Sequence, residues 1–341
     1  MVKKHPKWQL MSLLKKSKIK TYKKEEKMID IIIPAYNAHK TIDRTLFSIA
    51  YQENIKDINV YIINDKSDND YSEQVNFFKK FMNITELNLS ENSGPGIARQ
   101  YGIDNSNNPY IIFMDSDDVL AGPSEVRTLY NEIKDNDYDL VVSSFLEQLE
   151  NNEMVEHFED MTWVHGKIYK RSFLETNKIR FNNTRYNEDV GFNRKVFLYD
   201  SKIKYIDDIT YIWCFNKNSL TRTKNDEFKL KFFINYIYNI TNALETAIND
   251  KCSYKKISET ALEYMVNFYF NYIGYMNINN SKMFLKQLKE MKEIYEKYSV
   301  KDEKTKKMII EKRIESFQNR GISLKYISIS FDDFINLIQE A

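Results

Sequence analysis

The chain has 341 residues, 42% of them apolar and 14% aromatic, which is enough to build a sizeable core and excludes global disorder. The formal net charge is only +1, yet residues 1–27 hold ten lysines against Glu25 and Glu26, a net of +8 that leaves about −7 on the remainder. Two cysteines, Cys214 and Cys252, exclude a disulfide framework and fit a reduced, cytoplasmic setting, and no run of 18 apolar residues offers a membrane span.

In chain order, the basic arm 1–27 comes first. Trp8, Leu10, Met11, Leu13, Leu14 and Ile19 interleave there with Lys15, Lys16, Lys18 and Lys20. The pattern suits an amphipathic segment on an anionic membrane surface; nucleic-acid phosphates or a solvated tail are the other readings. The apolar stretch is too short for a signal peptide. From residue 28, short apolar runs alternate with helical periods. Strands are expected at Ile29–Pro34, Ile58–Ile63, Thr85–Leu89 and Tyr110–Met114, and helices at Ile42–Ile49, Tyr71–Phe81 and Ile97–Ile103. Nearly continuous apolar strands separated by helices predict an α/β fold, with a mostly parallel sheet covered by helices on both faces. Ligands gather at the carboxyl ends of such strands, where Pro34-Ala35-Tyr36-Asn37, Asn64-Asp65, Asn92-Ser93-Gly94 and Asp115-Ser116-Asp117-Asp118 fall. Beyond Thr223, helical spacing predicts a mainly helical appendage over 224–341, of four or five helices, with breaks at Asn279-Asn280 and Gly321. The organisation is thus an arm (1–27), an α/β domain (28–223) and a helical region (224–341).

Several chemistries drop out. Gly94-Pro95-Gly96 is followed by Arg99 where a dinucleotide fingerprint needs glycine, and it follows the third strand rather than the first. There is no P-loop, no His-Glu-x-x-His and no Gly-x-Ser-x-Gly; the four histidines lack zinc-ligand spacing. What remains is Asp115-Ser116-Asp117 after an apolar strand, where carboxylates two residues apart can converge on a hard cation. The alternative is a polar loop capping the next helix, since a bare Asp-x-Asp arises by chance roughly once in a chain this long.

Longer motifs carry more. Asp30-Ile31-Ile32-Ile33-Pro34-Ala35-Tyr36-Asn37, Ala98-Arg99 with Gly102-Ile103, Tyr110 through Asp118, Gly166-Lys167-Ile168-Tyr169-Lys170-Arg171 and Glu188-Asp189-Val190 occur in this order. Together, over about residues 28–221, they resemble the family 2 inverting glycosyltransferases.

The resemblance implies a GT-A fold, a nucleotide-sugar donor (usually a UDP sugar) and Mn²⁺ or Mg²⁺. It implies that Pro34, Ala35 and Tyr36 border the nucleobase, that Asp65 accepts from a uracil N–H, and that Arg99 lies near the diphosphate. Asp117 becomes the principal metal ligand, Asp115 and Ser116 support metal or ribose, and Asp189 is the general base. Trp163, His165, Lys167 and Glu188 are candidates for the acceptor pocket; the alternatives are core packing for Trp163 and Tyr36, a solvated Lys167, a structural Glu188 and a surface position on its helix for Arg99. The chain departs from the family at Asn64, Gln100 and Cys214, and no histidine follows His165, leaving Lys217 or Arg222 for contacts from the C-terminal side. The expected activity is transfer of a sugar to a hydroxyl of a cell-surface polysaccharide, lipid-linked glycan or teichoic-acid-like polymer, by a cytoplasmic protein peripheral to the inner membrane face. The alternatives are transfer to a protein or a modified DNA base, and a non-catalytic carbohydrate- or nucleotide-binding scaffold.

Overall fold

The computed structural model describes residues 28–217, 219, 225–275, 278–319 and 329–341. The basic arm, Arg222 and Gly321 lie outside them.

β1 (Ile29–Ala35) is buried at every position, as an unbroken isoleucine run requires when both sheet faces are covered. β2 (Ile58–Asn64), β3 (Asn83–Asn88) and β4 (Tyr110–Phe113) join it in a parallel set ordered β3-β2-β1-β4. The crossovers are α1 (Ile42–Ala50), α2 (Ser72–Phe78) and α3 (Pro95–Asp104). All seven elements expected here are present, with ends shifted by a few residues. The largest shift is in α2, whose periodic residue Phe81 instead bonds back to Phe78 in a turn. The α3 helix lies directly on β1: a Cβ at Gly102 would come within 2.4 Å of Ile32 Cγ2.

The second half of the sheet follows from β5 (Val119–Leu120), α4 (Glu125–Lys134), β6 (Leu140–Gln148), β7 (Met154–His157), β8 (Lys167–Lys170), α5 (Arg171–Thr176), α6 (Glu188–Leu198) and β9 (Ile203–Trp213). Its order continues β4-β8-β6-β9-β5, with β7 paired to β6. β8 runs antiparallel to both β4 and β6. That reversal brings the start of β8, with His165 and Lys167, to the rim where β4 delivers Asp115.

A helical region follows: α7 (Asp226–Asn249), α8 (Tyr254–Tyr275), α9 (Ile278–Gln287), α10 (Lys289–Tyr298), α11 (Glu303–Asn319) and α12 (Phe331–Glu340). There are six helices among the described residues, not four or five. The difference arises because Leu288, fully buried, forms a turn that divides one expected helix into α9 and α10. Asn279 and Asn280 fall in the first turn of α9 rather than in a break. This region has its own core around Ile240, Leu244, Leu262, Met265, Phe284 and Phe334, which Val190 and Leu198 of α6 join. None of the described helices is long and apolar enough to cross a membrane.

Candidate active site

The loops after β1 and β2 are stitched together. Tyr71 Oη accepts from Ala38 N (2.9 Å), Ser67 Oγ from Asn37 N (3.0 Å), and Asn37 exchanges side-chain and backbone bonds with Asp68. Pro34 and Ala35 are buried in β1, whereas the Tyr36 ring beyond them is 52% exposed. Such an exposed aromatic face at a strand end suits stacking on a planar ring. Asp65 is buried, and its two oxygens accept from Ser93 N (2.7 Å) and Gly94 N (2.8 Å). Its carboxylate therefore fixes the loop that starts α3, with one lone pair on each oxygen left over. Gly94 has φ +89, a conformation that favours glycine.

Arg99 on α3 is buried rather than on the surface. Its Nη2 donates to Asp115 Oδ1 at 2.6 Å and its Nη1 to Glu188 Oε1 at 2.7 Å. Burial works against its charge, but Asp115 and Glu188 more than offset this and raise its pKa. One guanidinium thus joins the end of β4 to the start of α6. Asp189, next along α6, is buried, with Oδ1 accepting from Val190 N at 2.8 Å. Burial first, then the charge of Glu188, lift the Asp189 pKa well above the usual carboxylate range, while Arg99 opposes them. Burial likewise raises Glu188, against the pull of Arg99.

The turn after β4 divides its acids among different partners. Asp115 is part-exposed on the rim, with Ser116 beside it half-buried. Asp117 accepts from Asn216 Nδ2 at 2.7 Å, and its carbonyl accepts from Arg44. Asp118 is fully buried; its oxygens accept from Tyr211 Oη (2.7 Å) and Cys214 N (2.8 Å), and its carbonyl from Thr45 Oγ1 (2.7 Å). Burial, then Asp117 and Asp115, push the Asp118 pKa well up. Burial also raises Asp117, with Asn216 opposing it. Tyr211 Oη further accepts from Asp115 N at 3.2 Å, so one phenol supports both ends of the turn.

The wall beside this turn comes from β8 and its approach. The buried His165 ring lies flat on Tyr211, centroids 4.5 Å apart at 3°. Trp163 is half-buried against Trp213, 5.1 Å between centroids, and so serves in packing whatever its outer edge touches. Lys167 is fully buried, donates to His165 O at 3.3 Å, and burial lowers its pKa to about 8. One ligand atom from each of Asp115, Asp118 and His165 lies within 4.8 Å of the others. Lys217 is exposed.

The loop before Glu188-Asp189 rests on α7. Asn239 takes bonds from Asn182 Nδ2 (2.8 Å) and gives them to Thr184 Oγ1 (2.9 Å) and Tyr186 O (3.1 Å). Asn235 Oδ1 accepts from Arg185 N (3.1 Å) and Tyr186 N (3.3 Å), and Phe232 O accepts from Asn187 Nδ2 (3.0 Å). Residues 232, 235 and 239 share one helix face. The structure therefore gathers Arg99, Asp115, Glu188 and Asp189 at one place, with Asp117, His165 and Lys167 around it and Tyr36 and Asp65 on the β1–β2 side of the rim.

Comparison with known proteins gives this geometry its context. The profile of glycosyl transferase family 2 matches residues 30–197, a span that contains every one of these groups and ends within α6. This segment belongs to glycosyl transferase family 2. The glycosyltransferase GlyA of Streptococcus pneumoniae serotype 4 is 28% identical over 224 residues, 57% of this chain and 31% of that protein. The poly(ribitol-phosphate) beta-glucosyltransferase of Bacillus spizizenii is 30% identical over 202 residues, 54% of this chain and 32% of its own length. The chain thus spans about a third of the length of these two relatives. Among solved structures, S. aureus TarS 1-349 in complex with UDP-GlcNAc superposes with a TM-score of 0.68 at 16% identity, covering 92% of this chain and 91% of that one. The mannosyltransferase PcManGT from Pyrobaculum calidifontis, in complex with GDP-Man and Mn²⁺, gives a TM-score of 0.52 at 12% identity. The likeness to TarS therefore extends beyond the GT-A sheet of the family 2 segment into the helical region.

Sequence pattern gives no sign of Tyr211, Asn216 or Arg44, whose partners lie 73 to 99 residues away along the chain. Asn235 and Asn239 do leave a trace. They are polar residues at helical spacing beside the apolar face of Phe233, Ile237 and Ile240.

Proposed function

We propose that the chain transfers a sugar from a nucleotide sugar, a UDP sugar in the first instance, to a hydroxyl of a cell-surface or teichoic-acid-like polymer, with inversion at the anomeric carbon. The observation that carries this reading is the chain of contacts from Asp115 through Arg99 to Glu188, ending beside buried Asp189, at the same rim as the exposed Tyr36 ring. One named relative is a poly(ribitol-phosphate) beta-glucosyltransferase, and structures of similar fold hold UDP-GlcNAc or GDP-Man; both facts support it.

In this reading Tyr36 stacks on the base, and Asp65 uses a remaining lone pair for the base N–H. Asp115 and Asp117, with Ser116, face the diphosphate. The local excess of carboxylates over cations fits a divalent metal, Mn²⁺ or Mg²⁺, which when bound neutralises charge on the departing diphosphate. Asp189 accepts the proton of the acceptor hydroxyl as that oxygen attacks the anomeric carbon. Burial suits it to this task, since a carboxylate with a raised pKa holds a proton better near neutrality. Trp163 borders the acceptor side, whereas His165 and Lys167 are buried behind it and shape that wall without reaching its surface. Residues 1–27 recruit the protein to the inner face of an anionic membrane, each lysine near the surface contributing about 1 kcal/mol.

The test is a thermal-shift screen of nucleotide sugars with and without Mn²⁺, paired with donor hydrolysis. A native-state ligand raises the melting temperature. A UDP sugar should do so, and Mn²⁺ should enlarge the shift and stimulate hydrolysis. Equal, negligible shifts for every nucleotide sugar and no hydrolysis would remove the assignment. Asp117→Asn should lose transfer and keep the fold.

A further inference from the structure

Among the described residues, the fully buried Lys167 ammonium meets one acceptor, His165 O at 3.3 Å, and forms no direct ion pair. A buried charge is costly unless another charge opposes it. Burial pulls this amine down to about 8, and the charges of Asp160 and Asp189 work against the fall, so it remains an ammonium at neutral pH. Asp160 is already engaged, its Oδ1 accepting from Thr162 N (2.7 Å) and Trp163 N (3.2 Å). Asp189 takes the Val190 N–H on Oδ1, which leaves Oδ2.

Two elements set Lys167 opposite Asp189. On β8, Lys167 and Tyr169 are two residues apart and point to one face of the sheet. On α6, Asp189 and Asn193 are four residues apart and share a face of the helix. Tyr169 Oη donates to Asn193 Oδ1 at 2.7 Å, and Asn193 Nδ2 to Trp163 O at 2.8 Å, which clamps these two faces together. Both elements run inward from the rim, so Lys167 and Asp189 are the rimward members of two facing pairs. No other group on this wall carries positive charge: burial holds the His165 ring neutral and the Tyr169 phenol protonated. From α3, Arg99 restrains the rise in Asp189, while Glu188 and Asp115 add to it. The two cations near Asp189 differ, since Arg99 is bonded to Asp115 and Glu188, whereas Lys167 is bonded to no acid.

We propose that Lys167 is a positioning residue for sugar transfer: its buried ammonium, facing Asp189 across the β8–α6 junction, keeps that group a carboxylate and holds it toward the acceptor hydroxyl. The proposal rests on the transfer reading above, and it gives this lysine a task behind the acceptor wall. In a site sealed from water, a charge acts over several ångströms without a hydrogen bond.

An opposite charge favours the ionised form of a carboxyl, so removing the ammonium raises the Asp189 pKa. The full chain labelled with ¹³C at its aspartate carboxyl carbons reads this without any donor; the Asp189 resonance is the one missing from Asp189→Asn. Lys167→Met fills similar space without charge, and Lys167→Gln keeps a donor for His165 O. In both variants the Asp189 titration midpoint should move up by about one pH unit. The low-pH limb of turnover should move up with it, while KM for the donor holds. Melting curves check both folds, and Lys167→Gln carries the test if the methionine variant does not fold. A midpoint that stays in place, or that moves in Lys167→Met and not in Lys167→Gln, overturns the proposal, because the lysine then acts through packing or its hydrogen bond and not through its charge. Either result leaves the transfer reading standing. Absence of nucleotide-sugar turnover in the unaltered chain overturns the transfer reading, and the role proposed for Lys167 with it, wherever the midpoint lies.

Discussion

Asp189 illustrates how surroundings, more than residue type, give a carboxylate its task. Burial and the neighbouring charge of Glu188 raise its pKa, and Arg99 restrains the rise. A general base must be ionised, so turnover should climb with pH along a limb lying above the ordinary carboxylate value of about 4. Glu188→Gln removes the largest of the charges that raise it, so the limb should move to lower pH; initial rates at saturating donor from about pH 4 to pH 9 read this directly. A limb that stays in place, or moves upward, means that Asp189 is not the titrating base. Asp189→Asn should retain donor binding and lose about 10²- to 10⁴-fold in turnover. At this scale the acids of the motifs are visible in the sequence because their neighbours in the chain are distinctive. Their partners are not visible: Asp118 meets Tyr211 and Asp65 meets Gly94 only after the sheet has formed.

Among elements, α7 positions a loop it does not belong to. Its Asn239 meets the loop at Asn182, Thr184 and Tyr186, and a Cβ on Gly191 of α6 would come within 2.9 Å of it. Asn239→Leu leaves these partners unsatisfied at about 1–3 kcal/mol each. The melting temperature should fall, and turnover should drop about tenfold or more with donor affinity unchanged. Equal losses in donor binding and turnover would show that the loop serves the donor instead. Long periodic elements were legible: β1, β2 and every helix of the parallel half follow from apolar spacing alone. The short antiparallel β8 was not, because four residues carry too little pattern to show strand direction. The split between α9 and α10 was hidden likewise, since Leu288 continues the apolar period through the turn.

Across the whole molecule, the charge asymmetry of the sequence makes a separate claim about location. The intact chain should sediment with anionic vesicles and not with neutral ones, and a chain lacking residues 1–27 should lose the effect. Equal binding by both chains, or retention on duplex DNA instead, would reassign the arm. The sheet and the helical region meet at α6, and Arg99 is where that junction reaches the rim. Because one guanidinium serves both Asp115 and Glu188, neither side can change without the other registering it. In the proposed reading, a diphosphate that competes for Arg99 would take the restraint off Asp189, whose affinity for a proton would then rise. Under the proposed function the base would then be strongest with a donor in place and idle when the site is empty, and Arg99 would act as an interlock that commits the acceptor's proton only after the donor has arrived.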